Sequence, residues 1–420
     1  MVMKNIIAVI LAAGKGVRMK SNLSKVLHNL CGQPLIYYVL REVKKAGIKQ
    51  VIAIVGQENE GIKRVVANSF QKIDFVQQKE PLGTAHALRQ ARGELKKEDD
   101  VLVLPGDVPL ITADSLKRLI SVHIKQNNSC TLISSYLPNP YSYGRIIRVN
   151  GKIIKIKEEK DASFDEKKIK EVNSGIYLFN SEHLFNALSR VLPANKKKEY
   201  YLTDVISLFT QQGLKIDSVS VPENEILGVN GRQDLSRAQK IMQGRVLERI
   251  FEKGVSIIDP ATTYISEEVK VGSDTIIYPS TFIEGKINIG RGCRIGPFAH
   301  IRGDCSVGNN VVIGNFVEIV RCKIGTNCCI KHHSYLGDCL LEKDVNVGAG
   351  TITANYDGKR KSKTIVKQGA FIGSGTILVA PAKIGKEAIT GAGSVVLKNK
   401  DVKNGEVVAG VPAQSIKKSK

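Results

Sequence analysis

Ile295-Gly296-Pro297-Phe298-Ala299-His300-Ile301-Arg302-Gly303-Asp304-Cys305-Ser306-Val307-Gly308 carries an aliphatic residue at every sixth position. The phase extends outward through Ile265, Val271, Ile277, Ile283 and Ile289 on one side and Ile313 and Ile319 on the other. It slips once, resumes at Ile324, Ile330 and Leu336, and returns at Ile372, Leu378, Ile384, Val396, Val402 and Val408, with Thr390 the one apolar miss. Helices repeat near 3.6 residues and half-buried strands at two, so neither explains a period of six. A parallel β-helix does, with one short strand per hexad stacked on its copy in the next coil.

The position two residues before each aliphatic residue agrees. It runs Thr263, Val269, Thr275, Thr281, Ile287, Cys293, Ala299, Cys305, Val311 and Val317, small or β-branched side chains suited to turning inward at a prism corner. Cys322 and Cys328 fill the same slot before Ile324 and Ile330. Eight cysteines without a C-x-x-C pair are read as small buried hydrophobes. The run Cys328-Cys329-Ile330-Lys331-His332-His333 has the wrong ligand spacing for structural zinc.

At 420 residues, with 42% hydrophobic and 24% charged, the chain is globular and exceeds one ordinary domain. The apolar run 6–13 is too short to span a membrane and leads straight into a glycine-bearing loop, so membrane insertion is not expected. Thiol usage points to a reducing, cytoplasmic setting. The net charge of +22 invites a nucleic-acid reading. Aromatics are only 5% and do not interleave with runs such as Asn195-Lys196-Lys197-Lys198 or the tail Lys417-Lys418-Ser419-Lys420, so solvated lysines and small anionic substrates account for the charge instead.

Residues 1–229 alternate apolar runs (6–11, 51–55, 101–104, 131–136) with helical patterns such as 34–46, which ends at Gly47. This is the signature of a βαβ sheet domain. Residues 233–253 place Leu235, Ala238, Met242, Val246 and Phe251 at helical spacing, and 230–254 is read as a linking helix. The prism is expected over 255–412, interrupted by a polar loop near 354–363, with a basic tail at 413–420.

Two loops in the first domain carry chemistry. After the first strand comes Leu11-Ala12-Ala13-Gly14-Lys15-Gly16-Val17-Arg18-Met19, with Lys25 just beyond. Glycines at a strand's carboxyl end let backbone N–H groups approach phosphate, and Arg18 and Lys25 can offset charge that grows as a phosphoryl group is attacked. The spacing matches neither G-x-G-x-x-G nor the P-loop; alone it also fits a plain strand-to-helix turn. The second loop is Leu104-Pro105-Gly106-Asp107-Val108-Pro109, where a carboxylate past a strand end suits Mg²⁺ or, equally, caps the next segment.

Together with Gln78-Lys79-Glu80-Pro81-Leu82-Gly83-Thr84-Ala85-His86, these loops resemble sugar-1-phosphate nucleotidyltransferases. With the hexad prism, the whole chain resembles the bacterial bifunctional N-acetylglucosamine-1-phosphate uridyltransferase/glucosamine-1-phosphate acetyltransferase family. Tyr143-Gly144-Arg145, Glu158-Glu159-Lys160-Asp161-Ala162, Val172-Asn173-Ser174-Gly175, Tyr200–Asp204 and Gly228-Val229-Asn230 extend the match. The resemblance implies a Rossmann-like α/β nucleotidyltransferase domain followed by a left-handed parallel β-helix of hexapeptide repeats, assembled as a homotrimer. It implies that Leu11, Ala12, Ala13, Gly14, Gln78, Gly83, Thr84 and Gly106 hold the uridine nucleotide and that Arg18 and Lys25 act on its phosphates. By the same resemblance, Gly144, Glu158 and Asn173 hold N-acetylglucosamine, and Asp107 with Asn230 binds Mg²⁺. Pro105 departs from the family, which often has an aromatic residue there.

For the prism, the resemblance implies acetyl transfer from acetyl-CoA, with His332 as base in Lys331-His332-His333-Ser334-Tyr335-Leu336-Gly337-Asp338. An ammonium has no lone pair, so the reaction needs a base titrating near neutrality. A solvated corner histidine is the competing reading. Arg302, Glu318, Tyr335, Asn346 and Lys361 are implied to hold the acetyl acceptor, and Ala349, Asn355, Tyr356, Ser374 and Ala392 to line the acetyl-CoA groove between subunits. Val320 stands where the family has a phosphate-binding Lys, and Gly410 where an Arg usually meets the cofactor; the prism is also short before Ile295. Arg302, Lys361 and neighbouring Arg321 are the candidates to compensate. Two alternatives stand beside the bifunctional reading: a uridylyltransferase whose prism serves assembly, and a non-catalytic subunit like those of translation-factor exchange complexes.

Overall fold

The computed structural model describes residues 5–14, 16–57, 60–70 and 73–416. Lys15 and the terminal Lys417-Lys418-Ser419-Lys420 of the expected basic tail lie outside the described residues. The chain divides into a unit of residues 1–241 and a unit of residues 242–420. The division falls inside the helix Arg232–Phe251.

Among the described residues, nine strands form the sheet of the first unit. They are β1 (Ile6–Ala12), β2 (Gln50–Val55), β3 (Asp74–Gln77), β4 (Asp100–Pro105), β5 (Cys130–Tyr136), β6 (Gly144–Val149), β7 (Lys152–Lys157), β8 (Glu171–Asn180) and β9 (Ile216–Ser220). The main path runs β9-β5-β8-β4-β1-β2-β3, with β6 joined to β8 and β7. Strand β1 lies parallel to both β2 and β4, with Leu11 paired to Ile54 and Pro105. Its unbroken apolar run reflects burial on both faces. Ala8, Ile10 and Ala12 pack into one core with helix α1 (Leu35–Lys45), while Ile7 and Val9 face the other core with Ala85 and Leu88. Helix α1 ends as expected, with Gly47 in the left-handed region at φ 91°.

The helix Arg232–Phe251 buries Ala238, Met242 and Val246 as the spacing predicts. Phe251 does not join them. It is 43% exposed, and Ile250 takes the buried place against Val255 and Ile257. Ile250 lies four residues after Val246, one helical turn on, whereas Phe251 falls about 100° further round.

The second unit is the parallel β-helix. Three sheets of ten, eight and seven strands run along it among the described residues. Ile265 pairs with Ile283 and Ile301 with Ile319, a step of three hexads per coil. The slip in the sequence is a coil one residue shorter, pairing Ile313 with Ile330. The polar loop makes one coil longer, pairing Val347 with Ile372. Every aliphatic hexad residue named above lies in one continuous core, and all ten residues of the preceding slot are buried. Thr390, the apolar miss, is buried too, and its hydroxyl accepts from Gly373 N–H at 3.0 Å, so its polar atom is satisfied.

Corners recur with left-handed backbone. One column runs Asp274, Gly292, Asn310, Asn327, Asp344, Gly369, Glu387 and Gly405, mostly residue types that tolerate this region. A second column includes His333 and also Phe298 and Phe316, where bulk makes the conformation costly. Their rings stack at 5.1 and 5.0 Å, which helps offset that cost.

Candidate functional sites

The first site forms at the carboxyl ends of β1 and β4, where ligands gather in open α/β sheets. Gly106 N–H donates to the Leu11 carbonyl at 2.9 Å, closing the Asp107 loop onto the end of β1. Ala13 and Gly14 follow directly, with Gly14 exposed. Four predicted residues converge here. The Lys25 ammonium is ion-paired with the Asp107 carboxylate and donates to Asn230 Oδ1 at 3.3 Å. Arg18 donates to the same Asn230 oxygen at 2.7 Å. Asn230 is anchored from behind: the Asp234 carboxylate accepts its N–H and that of Gly231, each at 3.0 Å. The Val229 N–H bonds the Asp107 carbonyl at 2.8 Å, tying the two donor loops together. Asp234 was missed in the sequence, although an acid in the first turn of a helix beginning just after Asn230 is a capping signal.

The Gln78–Thr84 turn is fixed with similar economy. Gln78 is buried and donates to the Gly83 carbonyl at 3.2 Å. Gly83 has φ 114°, and a Cβ there would sit 2.5 Å from the Tyr200 carbonyl oxygen, so glycine is required. Thr84 Oγ1 accepts from Leu202 N–H at 3.0 Å, and Ala85 N–H bonds the Tyr200 carbonyl at 2.9 Å. The loop containing Tyr200 therefore supports the Gln78–Thr84 turn, a partner invisible to local sequence.

Gly144, Glu158 and Asn173 form a second cluster. Gly144 pairs with Asn173 across β6 and β8. Asn173 donates to the Tyr177 hydroxyl at 2.6 Å and accepts from Gly175 N–H. Glu158 follows β7, with Gly144 close to its carboxylate. Burial pushes the Glu158 carboxyl up, partly countered by the Thr203 hydroxyl donating to it at 3.2 Å. A cavity of about 410 Å³ opens beside Glu158 and Thr203.

In the prism, five residues stack at one corner in successive coils: Asn315, His332, Ala349, Ser374 and Ala392. Backbone bonds link them. His333 N–H donates to the Asn315 carbonyl, Gly350 to that of His332, Gly375 to that of Ala349 and Gly393 to that of Ser374, at 2.7–3.1 Å. His332 is exposed, and its Nδ1 bonds Asn315 Oδ1 at 2.8 Å. Arg302, Glu318 and Tyr335 lie on the adjoining sheet, where Glu318 pairs with Tyr335. Asn346 begins the strand beside Cys329–His332. The candidates thus flank a corner rather than line one face.

The cations near this corner are largely committed. Arg302 donates to Glu318 at 2.7 Å. Arg321 makes a bidentate pair with Asp338 at 2.7 and 2.8 Å, which holds the Asp338 carboxyl below its usual range. The expectation that Arg321 reaches toward the acceptor phosphate therefore meets a fixed side chain. Asn355 is buried and donates to Asp338 at 2.5 Å, while the Tyr335 hydroxyl reaches Asn355 at 3.5 Å. Val320 is buried rather than presented to solvent. Lys361 stays exposed on the polar hairpin, bridged to Tyr356. Asp357 pins that hairpin. Bonds from Arg360 and Lys359 N–H, then the Lys398 ammonium, lower its carboxyl to about 2.

A nucleotidyl transferase family model matches residues 7–222, and a bacterial transferase hexapeptide model of six repeats matches residues 286–321. The chain is 44% identical to the bifunctional protein GlmU of Carboxydothermus hydrogenoformans over 93% of its own length and 95% of the relative's. The corresponding protein of Syntrophomonas wolfei is 42% identical over the same shares. That of Shouchella clausii is 43% identical over 93% of each chain. With a nucleotidyltransferase sheet at one end of the chain and a hexapeptide prism at the other, the chain belongs to the bifunctional GlmU family.

Proposed function

We infer that this chain makes UDP-N-acetylglucosamine in two steps, acetylating glucosamine-1-phosphate with acetyl-CoA and then joining the product to UTP with release of pyrophosphate. The observation that carries the second step is the convergence of Arg18, Lys25, Asp107 and Asn230 at the carboxyl edge of the sheet. In that step a phosphate oxygen of the sugar attacks the α-phosphorus in line, and the bond to the bridging oxygen breaks. Positioning and charge neutralisation carry such a displacement.

A divalent cation fits the donor set. Asp107 and Asn230 offer two hard oxygen donors held around one ammonium, and Mg²⁺ typically takes one or two protein oxygens beside phosphate and water. Among the described residues no group of three His, Cys, Asp or Glu side chains would hold a metal alone. When bound, Mg²⁺ screens the triphosphate and polarises the phosphoryl group. Lys25 must release Asp107 for that site to be taken, and the freed ammonium is then available to the phosphates. Arg18 supplies the second positive charge. The Gln78–Thr84 turn is assigned to the nucleotide, and Gly144, Glu158 and Asn173 to the sugar.

In the acetyl step, the amine nitrogen bonds the acetyl carbon, the C–S bond breaks, and His332 carries the amine's proton toward the departing thiolate. Ala349, Ser374 and Ala392 give a corridor of small residues along the His332 corner for an extended cofactor. Arg302, Tyr335, Asn346 and Lys361 are assigned to the acceptor. Exposed aromatics on the prism, including Tyr264, Phe282, Phe298 and Phe316 at 41–51% exposure, support assembly with further copies, as a trimer. The candidate residues flank a corner, so a neighbouring copy would close the groove. Mostly buried cysteine thiols suit a reducing, cytoplasmic setting. Purified protein given UTP, Mg²⁺ and N-acetylglucosamine-1-phosphate should form nucleotide sugar and pyrophosphate; no product at any metal concentration would remove the uridylyl reading. Thiol release with glucosamine-1-phosphate separates the bifunctional reading from one in which the prism only assembles subunits.

A further inference from the structure

We propose that Asn315 is a positioning residue for acetyl transfer, locking the His332 imidazole in one tautomer so that Nε2 is the nitrogen left to take the proton. The proposal rests on the reading of His332 as the base. Asn315 occupies the coil directly before His332, and the two are register partners on adjacent parallel strands. Its amide oxygen meets Nδ1 at 2.8 Å. An amide oxygen only accepts, so Nδ1 must carry the hydrogen and the Nε2 lone pair remains free.

The surrounding backbone makes this contact specific. A Cβ on Gly314 would fall 1.8 Å from the Lys331 carbonyl oxygen, so only glycine lets the two strands approach so closely beside Asn315. The His332 carbonyl is held by Gly350 N–H at 3.1 Å and by the Ser334 hydroxyl at 2.9 Å. The Asn315 carbonyl accepts from His333 N–H at 3.1 Å. Both main chains are thus fixed, and the side-chain bond decides how the ring turns. Lys331 precedes and His333 follows His332 in the chain, the His333 ring stacked on Phe316, while Asn315 on the preceding coil is uncharged.

Three variants test this in the full-length protein, with uridylyl transfer in the same preparation reporting intact folding. Asn315→Ala frees the ring and both tautomers. Its acetyl-transfer kcat should fall roughly ten- to hundredfold, the scale of losing an outer partner of a functional imidazole, with KM for acetyl-CoA little changed. Asn315→Asp still accepts from Nδ1–H, so it should recover much of the alanine loss at high pH. Its added negative charge favours the imidazolium and should move the acid limb of kcat to higher pH. His332→Ala should abolish acetyl transfer. If His332→Ala keeps full activity, the reading of the base fails. If His332→Ala is dead but Asn315→Ala retains wild-type kcat, or Asn315→Asp behaves as alanine with an unmoved acid limb, the positioning role is overturned.

Discussion

Replacing Asp107 by Asn keeps the shape of the loop and removes one charge. Gly106 N–H still bonds the Leu11 carbonyl, and Val229 N–H still bonds the carbonyl of residue 107, so the backbone frame should survive. The Lys25 ammonium, only 16% exposed, loses its carboxylate and keeps the 3.3 Å contact to Asn230. Losing a charged hydrogen bond at a site this sheltered costs about 1.5–3 kcal/mol of stability, less any rehydration of Lys25. The effect on chemistry should be larger. Of the two protein oxygens offered to the cation, the anionic one is gone, and a cation clamp on phosphoryl transfer contributes several kcal/mol. At about 1.4 kcal/mol per decade, a loss of about 4 kcal/mol lowers uridylyl-transfer kcat/KM roughly a thousandfold. Pyrophosphate release at saturating Mg²⁺ measures it, and thiol release by the same sample should be unchanged. A D107N protein retaining uridylyl transfer within tenfold of wild type would refute this assignment of the carboxylate.

Three further outcomes follow from other parts of the molecule. Because burial raises the Glu158 carboxyl, its ionised form is disfavoured in the folded chain above the ordinary glutamate pKa. E158Q should therefore raise the melting temperature at neutral pH, with the gain fading as pH falls toward about 4.3, while KM for the sugar phosphate rises about tenfold. Asp338 behaves oppositely: its carboxyl is lowered by the Arg321 bond, so the stability it adds is present above its ordinary value of 3.8 and lost as pH drops through the lower folded value. D338N should lower stability at neutral pH by at most about 1 kcal/mol, since Arg321 is partly screened by solvent, and the gap to wild type should close in acid melting curves. G83A forces a Cβ toward the Tyr200 carbonyl at φ 114° and should cost at least about 2 kcal/mol in urea denaturation.

The prism was legible because each coil repeats the same packing problem, so Ile265 through Val408 carry the solution in register. The slip before Ile324 and the loop after Ala354 were visible as broken phase, and they emerge as a short and a long coil; a second short coil between them, pairing Ile324 with Leu341, was not. The site loops were legible where a local run does the work, as in Leu11–Gly14 or Gly106-Asp107. Partnerships across distance were not. No local pattern announces that Tyr200 forbids a side chain at 83, or that Asp338 already occupies Arg321. Phe251 shows the limit of periodicity. At a helix end, a shift of one residue turns a side chain out of the core, and the neighbouring Ile250 fits instead.

A mixing experiment tests most directly whether one polypeptide carries two independent sites. D107N and His332→Ala proteins are each supplied with glucosamine-1-phosphate, acetyl-CoA, UTP and Mg²⁺, separately and then together. Separately, the first should accumulate N-acetylglucosamine-1-phosphate with little nucleotide sugar, and the second should form neither; combined, they should restore UDP-N-acetylglucosamine because the intermediate passes between them through solution. Loss of uridylyl transfer by His332→Ala when N-acetylglucosamine-1-phosphate is supplied directly, loss of acetyl transfer by D107N, or a mixture as inactive as its components, would contradict the account.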